Sequence, residues 1–418
     1  MKIFERIALC AADILLPESS NDLSKWAVIA CDQYTSEPEY WNKVEEYVGD
    51  SPSALRIVLP EVYLTDEAEK AKRLSSISSN IDSYLKGGVW QAPKEGFVVM
   101  DRKTPLHPSR KGLVAAVDLE CYSYEKGNTA LIRATEGTVL SRIPPRVKIR
   151  ENAKVELPHV MLLIDDPEDK VIGKAWDLAS AAYAPCYDTD LMLDAGSVKG
   201  FFIPSDSEIC EGIVAALGDL LDDTPSGMLF AVGDGNHSLA SAKAHWDNIK
   251  ANLSEDERRS HPARYALVEI VNIHDKGLDF EPIHRVVFNT DTDSFIAKAK
   301  EYFKDLKVGS SEGDQVFTLV SEGKEDIKIS IDNPPHSLCV GSVQMFLDEI
   351  SAEVDYIHGE DSVRKLSTGS TVGILLPDIG KDAFFDTIAK EGVFPRKTFS
   401  MGEAYEKRFY LEAKRIDG

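Results

Sequence analysis

Short apolar runs and longer segments with a helical period follow one another along this chain. The runs Trp26–Ala30, Val160–Ile164 and Met228–Val232 are each bounded by polar or turn-forming residues, which is typical of buried strands. Alternation and β-branched content predict further strands at Phe97–Asp101, Gly112–Leu119, Arg264–Ile273, Phe280–Asn289, Phe317–Val320, Ile327–Ile331 and Gly373–Pro377.

Apolar residues at helical spacing predict several amphipathic helices between these strands. Thr65 is the expected N-cap of the longest one, which runs to Leu85 before Gly87-Gly88. The other predicted helices cover Glu39–Val48, Ser207–Leu221, Ser294–Phe303 and Asp382–Glu391, and one more begins near Ser238.

Strands and helices occur without strict strand–helix–strand alternation, which favours an α+β fold with mixed sheets over a doubly wound fold. The order of the elements suggests three sections, 1–125, 126–289 and 290–418. The pattern leaves open whether these sections are separate domains or parts of one unit.

The charge of the chain restricts the kinds of partner that we expect. Its 418 residues include 47 Lys and Arg against 70 Asp and Glu, which gives a net charge of −23. Such acidity argues against binding to nucleic acid or to an anionic membrane surface. The six cysteines form no Cys-x-x-Cys pair, and we find neither a signal peptide nor a membrane span. We therefore expect a cytoplasmic protein, and its oligomeric state stays open.

The segment Gly233–Ser238, which reads Gly-Asp-Gly-Asn-His-Ser, is the clearest candidate for chemistry. It joins a predicted strand to a helix, and its glycines allow a sharp turn and close approach to a ligand. Amide groups at the start of the helix suit an anion. Asp234 and His237 add a carboxylate and an imidazole, suited to metal binding or proton transfer.

An ordinary strand-to-helix turn has the same local pattern. The residues assigned to cofactor binding here are Gly233, Gly235, Asn236 and Ser238, the last two also as possible helix caps.

A basic cluster lies between Arg133 and Lys154, where six cations and two acids give a local charge of +4. Arginine binds phosphate or carboxylate in a bidentate manner, so the cluster indicates an anion pocket. Pairing with the many carboxylates of the chain is the alternative. Arg142 and Arg146 flank Pro144-Pro145, so we do not expect them to lie together on one helix.

Glu136 lies beside these arginines and is a candidate general base or metal ligand, or else the partner of a salt bridge. Two smaller basic groups, His284-Arg285 and Arg396-Lys397, have an edge strand or a solvated loop as their simpler explanation. The residues assigned to binding an anionic substrate are Arg133, His284, Arg285, Arg396 and Lys397.

Taken in order, these motifs resemble the bacterial and archaeal domain-of-unknown-function family 1015 over nearly the full length. The hallmark of that family is an Asp-Gly-His-His-Arg-like segment. It is similar in turn to the ParB/sulfiredoxin-like superfamily, which includes free-serine kinases and nucleotide-binding partition proteins. The matching segments are Asp32–Ser36, Arg133–Thr138, Arg142–Asn152, Asp234–Ser238, Pro282–Arg285 and Pro395–Phe399.

The resemblance implies a ParB/sulfiredoxin-like nucleotide-binding core in the middle section. Asp234, Gly235 and His237 match the hallmark, whereas Asn236 and Ser238 stand where it has His and Arg. We expect the missing cation to come from elsewhere in the chain. The candidates for it, assigned to cofactor binding, are Arg142, Arg146 and Arg150.

The leading hypothesis is a phosphotransfer enzyme that binds ATP or ADP with Mg²⁺ and acts on a small hydroxylated metabolite, serine or phosphoserine. Glu136 would accept the hydroxyl proton, Asp234 would hold the metal, and His237 with the arginines would stabilise phosphate charge. The alternative is a non-catalytic regulatory protein that binds a nucleotide or a metabolite. Both hypotheses predict a small anionic ligand as the partner.

Overall fold

The computed structural model describes residues 1–395 and 397–418, apart from the side chains of Arg142 and Ala383. Two predicted site residues are affected by these bounds. Arg396 and the side chain of Arg142 lie outside the described residues.

Tertiary contacts divide the chain into two units. The first unit comprises Met1–Leu278 and Glu403–Gly418, and the second unit comprises Asp279–Gly402. This division differs from the three expected sections, because strands from both sides of residue 125 share one sheet and the C-terminal residues return to that sheet.

The strands of the two units are numbered here in chain order. Those before the border are β1 (Lys2–Phe4), β2 (Leu9–Leu15), β3 (Val28–Ile29), β4 (Lys94–Lys103), β5 (Lys111–Asp118), β6 (Tyr122–Ser123), β7 (Ile132–Arg133), β8 (Val155–Glu156), β9 (Val160–Ile164), β10 (Tyr187–Asp190), β11 (Ser197–Pro204), β12 (Phe230–Asp234) and β13 (Tyr265–Asn272). The second unit holds β14 (Phe280–Val287), β15 (Leu306–Val308), β16 (Gln315–Val320), β17 (Ile327–Ile331), β18 (Val354–His358), β19 (Val372–Leu375) and β20 (Phe399–Met401). Two strands follow it, β21 (Phe409–Tyr410) and β22 (Ala413–Arg415).

The α-helices are numbered in the same way. The first unit holds α1 (Leu23–Trp26), α2 (Pro38–Val48), α3 (Glu67–Lys86), α4 (Ile143–Arg150), α5 (Ile172–Ala182), α6 (Glu208–Asp223), α7 (Asn236–Lys250) and α8 (Glu255–Ser260). The second unit holds α9 (Thr292–Tyr302), α10 (Cys339–Glu349), α11 (Glu360–Leu366) and α12 (Lys381–Glu391). Among the described helices, none combines the length and the apolar character needed to cross a membrane.

A large mixed sheet organises the first unit. Its strand order is β10-β11-β4-β2-β5-β13-β9-β12-β7-β6, with β1, β8 and β22 attached beside this path. β9 runs parallel to β13 and antiparallel to β12, and β12 runs parallel to β7. In the second unit all pairs of the sheet β15-β17-β16-β19-β14-β18 are antiparallel, as is the pair of β14 with β20. Mixed sheets with helices confirm the α+β prediction.

Hydrophobic clusters cover both faces of the large sheet, because successive side chains of a strand point to opposite faces. In β4, Phe97 and Val99 join one cluster, whereas Val98 and Met100 join the other. The first cluster includes buried residues of α5, α6 and α7, and the second includes residues of α1, α2 and α3. The central strands are therefore shielded from water on both sides.

The starts of α3 and α4 differ in detail from the sequence predictions. Asp66 rather than Thr65 caps α3, because its carboxylate accepts the amide hydrogens of both Ala68 and Glu69 at 3.0 Å. The two prolines at 144 and 145 lie in the first turn of α4, where the absent N–H groups have no helical partner. Arg146 and Arg150 thus lie on α4, and residue 142 precedes it.

The C-terminal segment Glu403–Gly418 is held in the first unit by a buried ion network. Arg408, which is 4% exposed, donates to Glu269 and to Glu412 at 2.6 Å each, and both carboxylates are fully buried. The Tyr187 hydroxyl donates to the second oxygen of Glu412 at 2.5 Å. Burial opposes ionisation of Glu269, but Arg408 and a further arginine outweigh it, so the pKa of Glu269 is lowered.

We expect Arg408→Ala to lower the free energy of unfolding of the first unit by about 3–5 kcal/mol, because it leaves two buried carboxylates without their partner. Arg415→Ala removes only an exposed pair with Asp417 in the same segment, and should cost less than about 1 kcal/mol.

Urea unfolding followed by tryptophan fluorescence isolates this effect, since every tryptophan of the chain lies in the first unit. Equal urea midpoints for the two arginine variants would contradict the assigned role of the network. The reporting residues are Trp26, Trp41, Trp90, Trp176 and Trp246.

Candidate functional site

The predicted strand–loop–helix segment is formed by β12, Gly235 and α7. The register of β12 against β9 shifts between Val232 and Asp234, so Gly233 is an extra residue at a β-bulge. Gly235 has φ +82°, and a Cβ on it would lie 3.1 Å from the Cα of Val160. Both the left-handed backbone and this close approach to β9 require glycine here.

The helix start is arranged differently from the prediction that Asn236 or Ser238 caps it. Gly235 is the N-cap residue, and Asn236 and Ser238 already belong to the first turn of α7. Among the described residues, no side chain caps this helix start. The prediction was wrong because the left-handed Gly235 is itself the cap, which makes Asn236 the first and Ser238 the third residue of the helix. In the described part of the chain, the first turn of α7 therefore has no capping side chain.

The loop that follows β7 is attached to this helix start at two points. The amide of Thr135 donates to Oδ1 of Asn236 at 3.1 Å, and Nδ2 of Asn236 donates back to the Thr135 hydroxyl at 3.2 Å. The amide of Val139 donates to Nε2 of His237 at 3.2 Å. Glu136 lies between the two attachment points and is half-buried. The structure therefore brings the segments of Glu136, Asp234 and His237 together.

The Asp234 carboxylate has one oxygen for its own loop and one for a lysine far away in sequence. Oδ1 accepts the amide hydrogen of Gly235 at 2.8 Å, and Oδ2 accepts from Nζ of Lys407 at 3.1 Å. Lys407 is only 14% exposed. The hydrogen bond to Gly235 holds the carboxylate at the mouth of the loop, beside the ammonium group.

A second acid–base pair lies in the same cleft. Nε2 of His159 is 3.5 Å from Oδ2 of Asp32, and Nδ1 of His159 is 2.7 Å from the Tyr410 hydroxyl. Burial opposes the charged form of each partner. Tyr410 and Asp32 together outweigh burial and raise the pKa of His159, and His159 outweighs burial and lowers the pKa of Asp32. The cleft is narrow, with a cavity volume of about 10 Å³, and is lined by Ala30, Asp32, His159, Met161, Asp234, Lys407 and Arg408.

Sequence reasoning missed three of these groups, His159, Lys407 and Tyr410, and placed Asp32 only in a segment of family resemblance. Asp32 follows β3 and His159 precedes β9, whereas the other two belong to the returning C-terminal segment. The available signals were an acid directly after a short apolar run and a basic pair near the C-terminus. Neither signal indicates which partner a side chain will meet.

Three arginines of the predicted basic cluster bind groups within the first unit. Arg133 donates to the carbonyls of Ala130 at 2.9 Å and Ser226 at 2.6 Å, and burial lowers its pKa. Arg146 forms an ion pair with Glu61, and Arg150 forms one with Glu156. The assignment of these cations to phosphate or substrate remains a prediction.

The predicted substrate residues His284, Arg285 and Lys397 belong to the second unit. His284 is 7% exposed, and its Nδ1 accepts the amide hydrogen of Leu376 at 3.1 Å. Arg285 is fully buried, donates to the Ile283 carbonyl at 2.5 Å and lies 4.5 Å from the centre of the ring of Tyr356. Lys397 is exposed before β20 and has φ +54°.

Substituting Gly235 by alanine tests the backbone requirement of the loop. We expect Gly235→Ala to lower the free energy of unfolding by at least about 1–2 kcal/mol, because alanine disfavours the left-handed conformation and meets β9. Gly212→Ala, inside α6 with nothing within 4 Å of the added Cβ, should be neutral or stabilising. Urea unfolding of both variants measures the difference. Equal stability of the two variants would contradict the requirement.

The Asp32–His159 pair should stabilise the first unit most between about pH 4 and pH 6.5. Asp32, with its lowered pKa, contributes above an unfolded pKa of about 3.9, and the contribution is lost as the pH falls through the folded pKa. His159, with its raised pKa, contributes fully below about 6.5, and the contribution is lost as the pH rises through the folded pKa.

The stability difference between wild type and Asp32→Asn, measured by urea unfolding at several pH values, should therefore be largest in this window. Asp219→Asn, at an exposed position of α6, is the matched control and should show no such maximum. A wild-type advantage over Asp32→Asn that is independent of pH would contradict the paired ionisation.

Solved structures that resemble this chain share little sequence with it. A mutant free serine kinase in complex with ADP has a TM-score of 0.37 at 13% identity, with 71% of this chain and 90% of that chain covered. For SbnI with C-terminal truncation from Staphylococcus aureus the TM-score is 0.38 at 9% identity, with 69% and 82% covered. For a conserved hypothetical protein from Pyrococcus furiosus the TM-score is 0.34 at 13% identity, with 71% of this chain and 93% of that chain covered. At these TM-scores the likenesses decide nothing about function.

Sequence comparison is more decisive about the family. No curated protein matches the chain at a significant level. The model of the family described as protein of unknown function (DUF1015) matches residues 15–350, which is most of the chain. The chain therefore belongs to this family.

Proposed function

We propose that the first unit is a phosphotransfer enzyme that binds ATP or ADP with Mg²⁺ and acts on a small hydroxylated metabolite. The observation that carries the proposal is the uncapped start of α7, with Asp234 before it and the Glu136 loop attached to Asn236 and His237. Serine is the first acceptor to test, because Asp234–Ser238 resembles the hallmark segment of free-serine kinases. The ParB/sulfiredoxin-like core stays a prediction from the same resemblance.

The helix start supports binding of the nucleotide phosphates. The amides of the first turn point along the helix axis, and the positive end of the helix dipole favours an anion there. Gly233 at the bulge and Gly235 at the cap carry no side chain that would obstruct a phosphate group. The roles predicted for Asn236 and Ser238 therefore rest on their backbone amides, since the side chain of Asn236 binds Thr135.

Asp234 fits the metal ligand of this proposal. Carboxylate oxygens are the donors that Mg²⁺ prefers, and Mg²⁺ in nucleotide sites binds one or two carboxylates together with the phosphates. Asp234 is 35% exposed and faces the cleft, so its carboxylate is accessible. When bound, Mg²⁺ supplies neutralisation of the charge on the phosphates.

Glu136 and His237 carry the proton and charge chemistry in the proposed reaction. The acceptor hydroxyl oxygen forms a bond to the terminal phosphorus, and the bond from that phosphorus to the nucleotide oxygen breaks. The hydroxyl proton passes to the Glu136 carboxylate, and the shortened nucleotide leaves with the bonding electron pair. His237 is oriented by the Val139 amide, which donates to Nε2 and holds the imidazole at the phosphate end of the helix.

The test is to incubate the protein with serine, Mg²⁺ and either ATP or ADP, and to measure phosphoserine by mass spectrometry. We expect Glu136→Gln to lower kcat/KM by about 100-fold or more, since a positioned general base contributes at least that much. Asp234→Asn removes the proposed ligand of the metal ion and should lower kcat/KM as well. Asp219→Asn, an exposed carboxylate of α6, is the matched control and should leave the rate unchanged.

The same protein samples decide between the enzyme and the regulatory alternative. Nucleotides that raise the melting temperature without forming product from serine or other small hydroxyl acceptors would overturn the proposed reaction in favour of a regulatory binding protein. Product formation that is unaffected in Asp234→Asn would instead show that this segment is not the site.

A further inference from the structure

A lysine from the C-terminal segment faces the candidate site. Ser238 stands where the hallmark has arginine, so the α7 start lacks a cation of its own. The described candidates Arg146 and Arg150 pair with Glu61 and Glu156. Lys407 instead lies 3.1 Å from Oδ2 of Asp234 and lines the cleft.

The position of Lys407 is set by its neighbours in the chain. Its amide donates to the Ala404 carbonyl at 3.2 Å, and the next residue is the buried Arg408. The Arg408 carbonyl in turn accepts the amide hydrogen of Ala30 at 2.8 Å. The backbone on both sides of Lys407 is thus held in place, whereas its ammonium group ends at the cleft.

We infer that the Lys407 ammonium is the cation that binds the phosphate groups of the ligand, replacing the arginine that Ser238 has displaced. The inference rests on the proposed function for the identity of the ligand as a nucleotide. Lysine binds phosphate as a point charge with three donors, so it can contact Asp234 and a phosphate oxygen together. In the free protein, Asp234 keeps this charge compensated in a cleft with limited access to water.

Binding of ADP and adenosine, measured by isothermal titration calorimetry without Mg²⁺, separates the phosphate contribution from the rest of the nucleotide. We expect Lys407→Met to weaken ADP binding by about tenfold or more, the usual effect of losing a hydrogen bond to a charged group, and to change adenosine binding less than about twofold. Lys407→Arg should retain most of the ADP affinity. Lys199→Met, an exposed lysine of β11 paired with Asp188, is the matched control.

Several outcomes would overturn the role of Lys407. Unchanged ADP affinity in Lys407→Met would do so directly. Equal weakening of ADP binding and adenosine binding would show that Lys407 has a purely structural role. The double variant Lys407→Met with Asp234→Asn checks this, because it also removes the Asp234 carboxylate that loses its ion pair in Lys407→Met. Thermal unfolding of each variant shows whether the chain still folds.

Pyrophosphate distinguishes failure of this inference from failure of the proposed function. Pyrophosphate binding by wild type that is lost in Lys407→Met supports the inference even where no phosphoserine forms. Failure of wild type to bind either pyrophosphate or ADP overturns it. Phosphoserine formation at the wild-type rate and KM in Lys407→Met would leave the proposed function intact and overturn the inference alone.

Discussion

Burial of the Arg408 guanidinium is the constraint on which the candidate site depends. A charge removed from water costs several kcal/mol unless it is fully paired, and here Glu269 and Glu412 pair it from two different elements. Glu269 belongs to the central strand β13, so the C-terminal segment can occupy only the register that brings Arg408 to it. Lys407 reaches Asp234, and Tyr410 reaches His159, as consequences of that register.

A second constraint acts from the opposite side of the cleft, where the backbone rather than a charge determines the geometry. The bulge at Gly233 shifts the register of β12 against β9 by one residue. Gly235 then begins α7 in close contact with β9. His159 precedes β9, so the same close approach brings its imidazole next to the loop. The site thus forms where local backbone geometry and a long-range ion network meet, and each restricts a different set of side chains.

The sequence predicts the elements better than it predicts the site. Val160–Ile164 is found at its predicted bounds, because a run of apolar residues between polar ones has few alternatives to a buried strand. The strand–loop–helix at Asp234 is also found, since its glycines and apolar flanks are local signals. The leading hypothesis needs Glu136 near this loop, and its position there depends on hydrogen bonds of Thr135 and Val139 that no spacing rule indicates.

The return of residues 403–418 to the first unit could not be predicted, for a physical reason. Its strands β21 and β22 are only two and three residues long, too short for an alternating pattern to be recognised. Their partners β3, β2 and β8 come from the first part of the chain. Pairing between such distant segments is decided by tertiary contacts such as the buried Arg408 network.

The distribution of charge shows why so few groups are expected to determine ligand binding. The basic cluster between residues 133 and 154 looks like an anion pocket in a chain of net charge −23. Arg146 and Arg150 instead pair with internal carboxylates, and the donors of Arg133 are directed at two backbone carbonyls. An anion that reaches the start of α7 therefore meets the helix amides and the ammonium group of Lys407, within an acidic protein. The proposed ligand, a small anion with a metal ion that neutralises part of its charge, needs less positive potential than a polyanion would.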